Sequence, residues 1–117
     1  LMDGKVTSPN GAVRLADGTE MRVAAGGLQE GADIRLGVRP EKIQLGATAE
    51  DLRTTNRVAG RVTDASFIGI STHYLVDAGQ LGELAVVVQN IGAARFPAGS
   101  DVVMGWEPSH CFVVQPL

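Results

Sequence analysis

Several side chains in this sequence belong to types that do chemistry, and spacing decides what each can do. Ser71 and His73 stand two residues apart in a stretch that alternates apolar and polar, so both fall on one face of a strand. A nucleophilic Ser–His pair also needs an orienting acid and an oxyanion pocket. Neither is marked nearby, and the pair reads as a solvated face. His110 and Cys111 are adjacent, hence on opposite faces, and two histidines with one cysteine do not make a zinc set. Asp33 and Asp101 invite a paired-carboxylate reading. Each follows Gly-Ala or Gly-Ser, the place of a residue that caps backbone N–H groups ahead of a strand, and the cap is the preferred reading. Gly4-Lys5 runs into Val6 without a phosphate-cradling loop, and neither a Walker A pattern nor G-x-G-x-x-G occurs. Catalytic, cofactor-binding and metal-binding residues are therefore assigned to none of these positions. The candidates that remain are interface residues: Arg39 and Glu107, each before a proline, and Trp106, the largest apolar side chain.

The elements that position these residues are announced by a phrase used twice. Gly31 to Pro40 read G-A-D-I-R-L-G-V-R-P, and Gly99 to Pro108 read G-S-D-V-V-M-G-W-E-P, a constant offset of 68 residues. Gly31 matches Gly99, Asp33 matches Asp101, Gly37 matches Gly105 and Pro40 matches Pro108. Arg39 and Glu107 are equivalent and opposite in charge, and Trp106 stands where the first copy has Val38. The repeat predicts two similar β units, about 1–46 and 56–117, each sending a strand into a core and out through a proline corner. Between them, 46–55 is polar and reads as a loop.

Turn chemistry fills in the rest. Ser8-Pro-Asn-Gly, Asp17-Gly18, Gly26-Gly27 and Asp77 to Gly82 separate short alternating runs. The segment from Asn56 to Phe67 is long for one strand, and Gly60 suggests a bulge there. About ten short strands and no helix predict an all-β fold, barrel-like or sandwich-like, over 1–117 as one domain. The chain has 117 residues, 44% of them hydrophobic, enough for a core built mainly of Val, Ile, Leu and Ala. A net charge of −3 and few aromatics speak against a nucleic-acid surface. The single cysteine excludes an internal disulfide and fits a reducing compartment. No apolar run reaches membrane-span length. Leu-Met-Asp-Gly reads as a cut, so a longer parent is expected.

Three phrases, in order, resemble one family. Gly37-Val-Arg-Pro-Glu-Lys-Ile resembles the "G-[VI]-R-P-E" phrase of ABC importer ATPase subunits. Asn56 to Val76 is similar to the "N-x-x-x-G-x-V-x-x-x-x-[FY]-x-G" stretch that follows it, and Gln89-Asn90 with Val102 to Pro108 to the closing "Q-N … V-x-L-x-W-x-P-E". Ser109 and Met104 depart mildly from that pattern. These are the marks of the TOBE (transport-associated OB) region of polyamine-type and iron-type importers. The resemblance implies an OB-like barrel acting as a cytoplasmic accessory domain at the inner face of the membrane. It implies as partners the nucleotide-binding domain of the same chain, a second copy of the subunit and, indirectly, the permease, with ATP and Mg belonging to the parent protein. An alternative from another class is a small-ligand β-barrel that holds an oxyanion on glycine-rich turns such as Gly26-Gly27 and Gly79 to Gly82. The transported solute is not written in these residues.

Overall fold

The repeated phrase folds the same way both times. In the computed structural model, which describes residues 1–24, 28–89 and 96–114, Gly31 and Gly99 both take positive φ, 85° and 92°. Gly31 donates its N–H to the carbonyl of Val6 at 2.7 Å, and Gly99 donates to that of Val62 at 2.7 Å. Val6 and Val62 return the bond to Ala32 and Ser100, each at 2.9 Å. A left-handed residue is thus needed where each phrase turns into its strand, and only glycine takes it without strain.

Ten strands result: β1 (Met2–Ser8), β2 (Ala12–Leu15), β3 (Glu20–Arg22), β4 (Asp33–Val38), β5 (Gln44–Gly46), β6 (Asn56–Ile68), β7 (Ser71–Asp77), β8 (Glu83–Gln89), β9 (Asp101–Trp106) and β10 (Cys111–Val114). They form two five-stranded sheets, ordered β10-β4-β1-β2-β3 and β5-β9-β6-β7-β8. Every pairing is antiparallel. The edge strands β5 and β8 of the second sheet approach each other, so that sheet curls toward closure and the fold is OB-like.

Each unit gives its last strand to the other. β5 leaves the first unit to pair with β9, matching Gln44 with Gly105 and Leu45 with Met104. β10 leaves the second unit to pair with β4, matching Cys111 with Val38 and Phe112 with Gly37. A unit by sequence is therefore not a sheet in space. The proline corners make the exchange possible. Arg39 and Glu107 are extended, and a single 3-10 turn follows each, Pro40–Lys42 and Pro108–His110, with proline at its start. Proline lacks an N–H and cannot continue a ladder, so each strand ends and the chain turns to the other sheet.

The repeat is deeper than the visible phrase. The β1–β2 ladder shifts register between Val6 and Ser8, and the β6–β7 ladder between Val62 and Asp64. The bulge expected at Gly60 therefore lies at Thr63. Gly60 serves a different need, because a Cβ there would come within 2.6 Å of a Val76 methyl. The second unit is longer in its hairpin. Val6 pairs with Val13, whereas Val62 pairs with Val76. The extra residues carry an exposed apolar tip, Phe67, Ile68 and Ile70.

One core joins the sheets, with Val13, Leu36 and Met2 from the first and Val62, Val76, Met104 and Trp106 from the second. Asn56 adds a polar bridge. It is 2% exposed, accepts from the N–H of Arg22 and donates to its carbonyl, both at 2.8 Å. This amide from β6 thereby satisfies the free edge of β3 as another strand would. Each such bond contributes only about 1 kcal/mol net, but an unpaired buried amide costs about 1–3 kcal/mol, so the bridge fixes how the sheets meet more than it adds stability.

Gly37 and Gly105 occupy equivalent places with unequal neighbours. A Cβ on Gly37 would strike the ring of Phe112, which is 45% exposed and free to swing outward. A Cβ on Gly105 would strike Thr54 Oγ1, which is buried and donates to the carbonyl of Asn56 at 3.0 Å. Gly105→Ala is expected to destabilise by about 1–3 kcal/mol, the range for overpacking a core, and Gly37→Ala by less than half as much. Urea unfolding of both variants checks this; equal losses would contradict the asymmetry.

Candidate functional site

The two proline corners hold the interface candidates, and the fold treats the three residues differently. Trp106 has no exposed surface, and its indole N–H donates to Cys111 Sγ at 2.9 Å. Within this chain it is a core anchor, clamping the second unit to the strand it lends away. Arg39 is exposed, and its guanidinium has no partner among the described residues. Glu107 is half-buried and accepts a hydrogen bond from Thr55 Oγ1 at 3.3 Å. Equivalent in the repeat, Arg39 and Glu107 do not pair with each other.

Strand exchange brings Arg39 into a cleft. Because Cys111 pairs with Val38, continuing the register sets His110 opposite Arg39. The 3-10 turn after Arg39 brings Lys42 back, its N–H donating to the Arg39 carbonyl at 2.9 Å, and the equivalent turn closes with His110 N–H on the Glu107 carbonyl at 2.9 Å. The space between them, about 520 Å³, is lined by Arg39, Lys42, Ser109, His110, Cys111 and Phe112. Among the described residues no carboxylate lines it.

Elsewhere the sequence candidates resolve into structure. Asp33 and Asp101 do stand at strand entrances in separate sheets, but they are not backbone caps. Asp33 Oδ1 pairs with Lys5 Nζ at 3.6 Å, and Asp101 Oδ1 with Arg61 Nε at 3.2 Å, both exposed. The strand register sets Lys5 against Asp33 and Arg61 against Asp101, so cross-strand cations claim the carboxylates. Ser71 donates its hydroxyl to the Ile68 carbonyl at 3.2 Å, and no acid orients the exposed His73. Of the two glycine-rich turns, Gly26-Gly27 lies outside the described residues. In the other most N–H groups are already spent: Ala78, Leu81 and Gly82 donate within the turn, and Gly79 donates to Asp77 Oδ1 at 2.9 Å. Among the described residues no cluster of His, Cys, Asp and Glu is arranged to hold a metal.

Sequence reasoning missed Lys42 and Ser109, which enter the cleft only through the exchanged strand, and Asn56, a polar residue at the start of a strand with no local sign of burial. Lys5 and Arg61 carried a usable signal. Each lies one residue before a Val that receives the glycine bond, and each faces an Asp at the same place in the phrase.

Cys111 sits at the base of the cleft. Burial pushes its thiol above the ordinary cysteine range, and the hydrogen bond from Trp106 pulls it part of the way back. The thiolate is disfavoured, so this is an unreactive cysteine.

Comparison with known proteins follows the same lines. The TOBE domain family matches residues 36–114. A spermidine/putrescine import ATP-binding protein of Thermobifida fusca is 34% identical over 106 residues, covering 87% of this chain and 27% of the relative. A spermidine/putrescine import ATP-binding protein of Rubrobacter xylanophilus is 30% identical over 121 residues, covering 97% of this chain and 31% of the relative. The chain thus spans about a third or less of the length of the curated relatives it matches. A crystal structure of the cytoplasmic molybdate-binding protein ModG, with molybdate bound, superposes with a TM-score of 0.85 at 14% identity, over 98% of this chain and 94% of that one. At that identity the likeness is one of fold.

Two outcomes follow from the geometry. Exposed ion pairs contribute about 0–1 kcal/mol, so Asp33→Ala and Asp101→Ala are each expected to cost less than about 1 kcal/mol and to add in the double variant. Thermal melts at low and high salt check this; a salt-insensitive loss of about 2 kcal/mol would restore the capping role. Alkylation of native Cys111 should accelerate with pH only above the range of an unfolded cysteine. A thiol raised on folding adds stability that is complete below its unfolded pKa and is lost as pH climbs through the folded one. A midpoint pH for alkylation at or below that of the urea-unfolded chain would contradict it.

Proposed function

Because the chain belongs to the TOBE domain family, we propose that it is the accessory β-domain of an ABC importer ATPase subunit of the polyamine type. In this reading it contributes to assembly and regulation of the ATPase pair and performs no catalysis. The family match over residues 36–114 is the observation that carries it. The kinship with polyamine import ATP-binding proteins supports the parentage, and the short share of their length covered supports one part of a larger subunit. A sequence with no Walker A loop is consistent with hydrolysis residing elsewhere in the parent, where ATP and Mg would be bound.

The partners in this reading are the nucleotide-binding domain of the same subunit and a second copy of the subunit, with the permease reached through them. The place of work is then the cytoplasmic face of the membrane. Arg39 and Glu107 are surface positions available to such contacts, with Trp106 stiffening the corner beneath Glu107.

Titration calorimetry with Mg-ATP on the 117-residue chain should give no saturable heat in the micromolar range, while sedimentation should detect weak self-association at high concentration. Micromolar nucleotide binding would overturn the accessory reading. A strict monomer up to millimolar concentration would remove the domain's own share in pairing.

A further inference from the structure

The cleft at the exchanged corners has the composition of an anion site. Most described basic side chains are engaged. Lys5, Arg14, Arg35 and Arg61 pair with carboxylates, Arg22 reaches Asn10 Oδ1, and Arg57 donates to the Leu52 carbonyl. Among the described residues, Arg39, Lys42 and Arg53 have no such partner, and two of these three face one cleft. In a chain of net charge −3, two unneutralised cations around one cavity without a lining carboxylate form a local reversal of field.

The other groups suit the same ligand. Ser109 offers a hydroxyl and His110 a ring N–H, and neither side chain is spent on a partner among the described residues. Arg39 supplies a planar fork for two oxygens, and Lys42 a point charge for a third. At about 520 Å³ the space exceeds a bare oxyanion, and the Phe112 ring and Cys111 give it an apolar wall. The equivalent positions in the other unit argue that this is no generic product of the fold. There Glu107 and Glu41 stand where the cleft has Arg39 and Ser109, while Lys42 and His110 exchange places, so the equivalent set carries a net negative charge.

We propose that Arg39, Lys42, Ser109 and His110 form a binding site for a phosphate monoester group carried on a small organic body. A lipid headgroup and a soluble metabolite share that chemistry. The inference goes beyond the accessory role and stands apart from it, since the site is complete within this chain.

The test uses the 117-residue chain, with glycerol 3-phosphate as the soluble probe and phosphatidylcholine vesicles doped with phosphatidic acid as the lipid probe, at constant ionic strength. Amide NMR should show saturable shifts confined to residues 38–42 and 108–112. Arg39→Ala and Lys42→Ala should each weaken binding about tenfold or more, the scale of one charge-assisted hydrogen bond, and Arg53→Ala should leave it unchanged. Saturation by glycerol 3-phosphate without vesicle retention assigns the soluble source; Arg39-dependent retention on vesicles assigns the lipid. Shifts spread over all basic residues, or an affinity indifferent to Arg39 and Lys42 in variants with wild-type spectra elsewhere, would overturn the site.

Discussion

The exchange of terminal strands is the constraint on which the rest of this molecule depends. Neither β4 nor β9 is paired on both edges by its own unit, because each waits for a strand from the other. The corner prolines end the ladders, the glycines at 37 and 105 leave room for what crosses over them, and Trp106 is sealed beneath the arriving β10. The hydrogen bond from Trp106 to Cys111 then joins a residue of β9 in one sheet to a residue of β10 in the other. Asn56 makes the second polar tie between the sheets, and its amide lies 4.0 Å from the same sulfur. Two sheets that share side chains and strands in this way behave as one body.

The same exchange creates the cleft. Arg39 and Lys42 come from the first unit, and Ser109, His110, Cys111 and Phe112 from the second. No contiguous stretch of sequence contains the site. Since the two units are near copies, the cleft has a counterpart, and divergence has been free to make one corner basic and the other acidic while the backbone bonds stayed the same. That division of labour is available only to a duplicated fold, where one copy keeps the frame and the other changes its chemistry.

Much of the architecture was readable from residues. The turn dipeptides mark the number and order of the strands, with small errors at their ends. What was hidden has physical reasons. Strand exchange involves partners over sixty residues apart, and nothing local distinguishes a strand that pairs at home from one that pairs away. The deeper repeat, Val6 with Val62 and the bulges beside them, is masked because the offset there is 56 residues and not 68, and the longer β6–β7 hairpin supplies 7 of the 12 residues of difference. The aspartates were placed correctly at strand entrances but given the wrong partners, since a cap and a cross-strand ion pair begin with the same Gly-x-Asp. Arg39 was singled out for its charge, yet its neighbours in space could not be named before β10 was known to lie beside β4.

The exchanged strands also set an order of events for the newborn chain. β10 is synthesised long after β4, and it completes the first sheet by pairing with it. Until then β4 presents an open edge, and the N-terminal half has nothing to close against. Closure of the first sheet must therefore wait until β10 has emerged, and contacts of such long sequence separation make that step slow compared with pairing of local hairpins. During that interval the half-built sheet is exposed to pairing with a neighbouring nascent copy, which offers an identical β10. Two chains that traded this strand between molecules would keep its ladder to β4 and give up the turn at Pro108–His110. The route to an intertwined dimer is thus built into the connectivity.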